Sequence, residues 1–113
     1  MIEFDLSSLL IVFDELDPKL TDEERQIYWF RLTRSDQIAV TLSFSVFDRK
    51  ASVSLYPKPG TSVGIDVNNC VSIKVLSEAG KSLELLCGSS KPKPTLRIFL
   101  SLLGDNILHL EHF

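Results

Sequence analysis

The side chains best suited to chemistry in this chain are two histidines, two cysteines and a few glutamates, and their spacing decides what they can do together. His109 and His112 stand three apart near the end of a predicted strand. An odd spacing puts them on opposite faces, so a regular strand cannot turn both onto one metal. Cys70 and Cys87 nearly face each other across a predicted hairpin. Its register pairs Cys87 with Val71 and Cys70 with Gly88. The two are therefore expected as buried thiols on opposite faces, with neither a disulfide nor a shared metal site. Glu78, Glu84 and Glu111 are acid–base candidates by residue type alone. Glu78 falls in a turn and Glu84 is expected opposite Lys74, whereas paired-carboxylate chemistry needs two carboxylates converging in a cleft. Asp66-Val67-Asn68 begins like a calcium loop but lacks its glycine and terminal glutamate. No serine sits in Gly-x-Ser-x-Gly, and the five glycines are scattered rather than gathered into a phosphate loop. The expectation is no catalytic residue, no metal ligand and no cofactor.

Composition narrows the partners. At 113 residues the chain is expected to form one domain with its own core. The longest apolar run, Leu9 to Phe13, is far short of a membrane span. The opening residues MIEFDLSS carry acids where a secretory signal needs bases. No membrane contact is expected, and a cytoplasmic location. The net charge of −3 is uneven: residues 1–25 hold eight acids and two bases, and the remainder is mildly positive. A nucleic-acid binder would show a concentrated basic stripe, and none is present. The acidic front is expected to lie on the chain's own basic sheet, or else to face a basic partner. Arg49, Lys50, Lys58, Lys91 and Lys93 form a basic set at loop positions, where charges are ordinarily just solvated.

The elements that must position these residues read as mainly β, or α+β by content. Leu6, Leu9, Leu10, Phe13 and Leu16 follow helical spacing, with Asp5, Ser7 or Ser8 as N-cap and Asp17-Pro18 as the stop. A buried strand through Leu9–Phe13 is the alternative. Thr21 and Glu24 fit a capping box for one helical turn. From Ile27 the run IYWFRLT is β-prone, and Ile38 to Val46 alternates strictly between apolar and small polar residues. Parity pairs Tyr28, Phe30 and Leu32 with Phe44, Leu42 and Val40 across a loop at Ser35-Asp36-Gln37. Phe44 and Val46 are expected opposite Leu55 and Val53, across a loop from Asp48 to Ala51. The first unit closes at Tyr56, before a Pro57–Gly60 loop, so it spans 26–57 after an acidic helical segment at 1–25.

A hairpin-rich unit at 63–113 follows. It holds a short strand at Val63–Val67, a turn at Asn68-Asn69, and a hairpin facing Val71, Ile73 and Val75 with Cys87, Leu85 and Leu83. That hairpin turns at Glu78-Ala79-Gly80, with Gly80 expected in the left-handed region. Gly88 to Pro94 is a loop. Leu108 and Leu110 are expected to meet Leu102 and Leu100 across a turn at Gly104-Asp105-Asn106. About eight antiparallel strands joined by hairpins, with one N-terminal helix, give a sandwich or a small barrel.

The registers single out one surface. On the face of the first unit opposite its apolar side, Trp29, Ser43 and Tyr56 fall into one cross-strand row, and Ile27, Ser45 and Ser54 into the next. Arg31 and Thr41 lie to one side, with Phe47 and Ser52 beyond. Aromatics and arginine dominate interface energetics, and small residues between them permit close approach. The default placement of the Leu6–Leu16 helix is over this face; packed elsewhere, it leaves the face open. Small size, acidity and poverty of motif are a texture shared with inhibitors of the immunity type. The expected role is therefore a non-enzymatic interaction module, binding another protein as an inhibitor or immunity-type partner, or binding itself as a homodimer. The alternatives are a small-ligand-binding β domain and, third, a cryptic small enzyme.

Overall fold

The structure, a computed structural model, describes residues 1–88 and 95–112. Its elements are one helix, α1 (Leu6–Val12), and nine strands: β1 (Glu15–Leu16), β2 (Ile27–Thr33), β3 (Ala39–Ser45), β4 (Lys50–Lys58), β5 (Thr61–Val67), β6 (Ser72–Ser77), β7 (Ser82–Cys87), β8 (Leu96–Ser101) and β9 (Leu108–His112). They form two antiparallel sheets in simple meander order, β1 to β5 and β6 to β9, so the architecture is sandwich-like. Alternation drives this: Phe30, Leu42 and Val53 from the first sheet and Leu83, Leu85 and Ile98 from the second are at most 1% exposed, within one continuous core. The expected loop at Gly88 to Pro94 falls, beyond Gly88, outside the described residues, as do Lys91 and Lys93. Among the described residues no helix is long and apolar enough to cross a membrane.

The N-terminal helix exists but is shorter than expected. Asp5 caps it, accepting hydrogen bonds from the Ser7 and Ser8 amides at 3.0 and 3.4 Å. It ends at Phe13, whose backbone is extended, and Glu15–Leu16 pairs with Arg31 and Phe30 as a strand instead of continuing the helix to Leu16. The strand hydrogen bonds win because Leu16 sits beside β2, where a ladder is available. The helix also lies on the inner side. Leu9, Val12 and Phe13 join the core, with Phe13 5.5 Å from Phe30 and Phe4 5.0 Å from Phe44. The default placement of the helix over the outer face is therefore overturned. The apolar stripe of the helix seals the edge of the core, where it removes more surface from water than a row of serines could.

Thr21 caps no helix. Its hydroxyl accepts the Trp29 amide at 3.2 Å, and Asp22 closes the tight 22–27 turn by accepting from Arg25. Three of the eight acids of the front act as caps of local backbone. Asp5, Asp17 and Asp22 hold amides of their own turns, and Asp14 reaches across to Lys81 at 3.8 Å rather than covering a basic sheet.

The β2–β3 register is as expected, Trp29 opposite Ser43, with Gln37 supplying the left-handed residue of the three-residue loop at φ 74°. The β3–β4 register is not. Ser43 pairs with Ser52 and Phe44 with Ala51, because the four-residue turn runs from Val46 to Arg49 rather than from Asp48 to Ala51. Val46 is 2% exposed yet outside the ladder: its amide bonds Gln26 and its carbonyl accepts Ile2. It plugs the core from within a turn.

The same device shifts β8–β9. Leu102 is fully buried, donates to the Lys81 carbonyl at 3.0 Å, and leaves the ladder, so Leu108 meets Leu100 and Leu110 meets Ile98. Arg34 donates to the Leu102 and Gly104 carbonyls at 3.0 and 2.7 Å, tying the first sheet to this turn of the second.

Two turns also differ. Pro57–Gly60 is not a loose loop. The strand continues through a bulge to Lys58, and Pro59-Gly60, with Gly60 at φ 79°, makes a tight turn to β5. In the β6–β7 turn the left-handed residue is Lys81 at φ 50°, not Gly80, because an extra residue before Ser77 lengthens the loop by one.

Candidate functional site

The outer face of the first sheet is built by the odd-numbered residues of β2 and β3 and their partners. Its rows are Ile27–Ser45–Lys50, then Trp29–Ser43–Ser52–Asp66, then Arg31–Thr41–Ser54–Gly64, then Thr33–Ala39–Tyr56. Every residue assigned to this face by parity except Phe47 is on it, since the register slid by an even number. Tyr56, however, does not stand beside Ser43: it lies two rows away, opposite Ala39, and Ser54 joins Arg31 and Thr41 rather than Ser45. Phe47 is in the Val46–Arg49 turn and 57% exposed, outside the rows.

These rows form a continuous band of three depressions. The first, about 400 Å³, is floored by Ser43, Ser45 and Ser52, with Trp29 and Ile27 on one side and Lys50 and Asp66 on the other. Trp29 also lines the second, with Thr41, Tyr56 and Leu20. Arg31 and Tyr56 continue into the third, beside Lys58 and the Pro59-Gly60 turn. Trp29 is half-buried, Ser43 is buried and Tyr56 is exposed. The Ser52 hydroxyl donates to Asp66, and the Ser45 hydroxyl donates to Asp48 at 3.1 Å. Leu20 is held beside Trp29 by Asp17, whose carboxylate accepts the Lys19 and Leu20 amides at 2.8 and 3.1 Å.

Asp66, Lys50 and Leu20 are members that the reading of the sequence did not assign to the site. The β4–β5 hairpin carried the signal for Asp66: Val53 and Leu55 opposite Ile65 and Val63 across Pro59-Gly60 place Ser52 against Asp66.

The residues suited to chemistry do not converge. Among the described residues no group of three histidines, cysteines, aspartates or glutamates could hold a metal. His109 stands opposite Phe99, ring centroids 6.0 Å apart, and His112 lies opposite Leu96 on the other face. Glu84 does sit opposite Lys74, yet its ion pair is with Arg97, whose Nε and second terminal nitrogen approach one carboxylate oxygen at 2.7 and 2.6 Å. Arg97 wins because its planar fork reaches a buried carboxylate while lying 4.1 Å over the Phe99 ring.

The cysteines are both buried thiols, but they do not point to opposite faces. Val71 and Ser72 together oppose Leu86: the Val71 amide donates to the Leu86 carbonyl at 2.7 Å, while Ser72 is its strand partner. This bulge advances the register by one residue and turns Cys70 onto the side of Cys87. The Cys70 thiol donates to the Ser72 carbonyl at 3.8 Å; its interaction with the Cys87 thiol, together with burial, pushes Cys70 up, while the same interaction holds Cys87 below the ordinary thiol range.

No family model matches this chain, and neither a curated protein nor a solved structure matches it.

Proposed function

We propose that this chain is a non-enzymatic protein-interaction module whose contact surface is the outer face of the first sheet. It would act on another protein as an inhibitor or immunity-type partner, or on a second copy of itself. The observation that supports this reading is that, among the described residues, no helix or strand packs over the Trp29–Ser43–Ser52–Asp66 row. The helix, the default cover, lies on the inner side. A half-buried tryptophan, an exposed tyrosine and an arginine around a floor of serines suit a protein contact, with the small floor letting a partner's backbone come close. The reading takes the chain to be cytoplasmic, in keeping with two free thiols. A small-ligand carrier has less support, because Leu42, Leu83, Leu85 and Ile98 fill the space between the sheets.

Mass in solution, for the chain alone and mixed with candidate partners, tests the proposal against the variant Ser54→Arg. Ser54 lies mid-face opposite Gly64, where an arginine has room to stand outward. The expected outcome is an assembly formed by the native chain, with Trp29 shielded from a soluble quencher, and lost in Ser54→Arg. A native chain that stays monomeric across micromolar to millimolar concentration, and whose complexes survive Ser54→Arg, would overturn it.

A further inference from the structure

We propose that Cys70 and Cys87 form a redox-responsive dithiol site that closes to a cross-strand disulfide by exchange with a low-molecular-weight disulfide. The geometry begins with two backbone hydrogen bonds. Gly88 donates to the Asn69 carbonyl at 3.2 Å, and Val71 donates to the Leu86 carbonyl at 2.7 Å. Between these two pairs, Cys70 faces Cys87 directly as a non-hydrogen-bonded antiparallel pair. Such pairs hold their Cα atoms about 4.5 Å apart, inside the roughly 4.4–6.8 Å window that a disulfide requires. Both cysteines are fully buried on the same side, and the two thiols interact with each other.

The bulge at Val71–Ser72 is what creates this pair. In the regular register of β6 and β7, Cys70 would fall opposite Gly88 and point away. The pair stands where the chain passes from the first sheet to the second. Asn69 takes the left-handed region at φ 55°, and the Cys70 amide is anchored on the Arg49 carbonyl at 2.8 Å. The anchoring keeps Cys70 in place on a segment that belongs to neither ladder.

The exchange balances without any further reactant. Cys87, the better thiolate of the two, attacks one sulfur of the small disulfide; that S–S bond breaks and one small thiolate leaves, forming a mixed disulfide on Cys87. The Cys70 thiol gives its proton to the departed thiolate and attacks the Cys87 sulfur. The mixed disulfide breaks and the second small thiolate leaves, taking a proton from solvent. The protein loses two electrons and the small disulfide gains them. Because both sulfurs are buried, the reaction proceeds through local opening of the ladder end, where β7 stops at Cys87. The inference is independent of what the outer face binds.

The test incubates the intact chain with glutathione disulfide, denatures it in acid, and counts alkylatable thiols by intact mass. The expected product is a monomer lighter by two hydrogens with no alkylatable thiol, and with a peptide joining Cys70 to Cys87. Its Tm is expected to be about 10 °C above the reduced chain, since the bridge constrains a loop of moderate length in the unfolded state. Cys70→Ala is expected to stop at a stable mixed disulfide on Cys87, which reads out the attacking sulfur. Two alkylatable thiols persisting in the wild type, a bridge formed between two chains, or a bridged monomer of lower Tm would each overturn the proposal, and none of these depends on a variant that folds.

Discussion

The two sheets carry similar kinds of residue on their outer faces and use them in opposite ways. On the second sheet, Glu84, Arg97, Phe99 and His109 form a closed set. The carboxylate is held by two guanidinium nitrogens, the guanidinium lies on the phenyl ring, and the ring meets the imidazole. On the first sheet, Trp29, Arg31 and Tyr56 surround serines whose hydroxyls are tied to neighbouring acids. Among the described residues Arg31 makes no ion pair. A polar set satisfied internally stabilises the fold and offers little to a partner. A face whose large residues are not satisfied by one another keeps that interaction energy for a contact made from outside.

The comparison breaks most directly at Arg97. Arg97→Ala leaves the buried Glu84 carboxylate without its partner and is expected to cost about 3 kcal/mol in urea unfolding; a loss under about 0.5 kcal/mol, the usual range of a surface substitution, would put the two faces on equal footing. Next comes the link between the sheets. Arg34→Ala removes two charge-assisted bonds to the Leu102 and Gly104 carbonyls, at an expected cost of about 2 kcal/mol, with amide exchange near Leu102 accelerating first. Phe99→Ala, which keeps the ion pair but removes the ring beneath it, is expected to cost about 1 kcal/mol.

On the first sheet, Arg31→Ala and Ser54→Arg are expected to change stability by less than about 0.5 kcal/mol while abolishing assembly, so thermal melts and mass measurements should part company there. The smallest effect is one of pH. The Arg34 guanidinium beside Asp36, helped by the Ile38 amide, holds that carboxyl below the usual aspartate range. A depressed carboxyl stabilises the fold above its unfolded value, and that contribution disappears as pH falls through its folded value. Asp36→Asn should therefore lower stability slightly at neutral pH, converge with the native chain at low pH, and so flatten the acid limb of the stability curve.

Several parts of the site were legible in the sequence. Trp29 opposite Ser43 followed from parity and a three-residue loop. Ser45, Ser54, Thr41 and Arg31 were placed on the correct face by alternation alone. Asp66 was legible in principle from the β4–β5 hairpin. The neighbour of Ser43 across β4 was not legible, because Val46 looks like a strand residue by every local criterion. Burial marks a residue as inside; it does not say whether its amide belongs to a ladder. Leu102 misleads in the same way and for the same reason.

What the sequence determined by itself was which face each side chain takes, since alternation has a period of two and a slide by two or four residues leaves every face unchanged. The turn plugs Val46 and Leu102 produced even slides, so the serine face survived them while its rows were rearranged. Only the tertiary structure decided the absolute registers, because they are set by which buried residue fills the gap at a sheet's end. It also decided the odd step that moves a cysteine, the bulge at Val71–Ser72, and an odd step changes faces. That one residue of slip turned Cys70 from the far side of the sheet to the sulfur of Cys87.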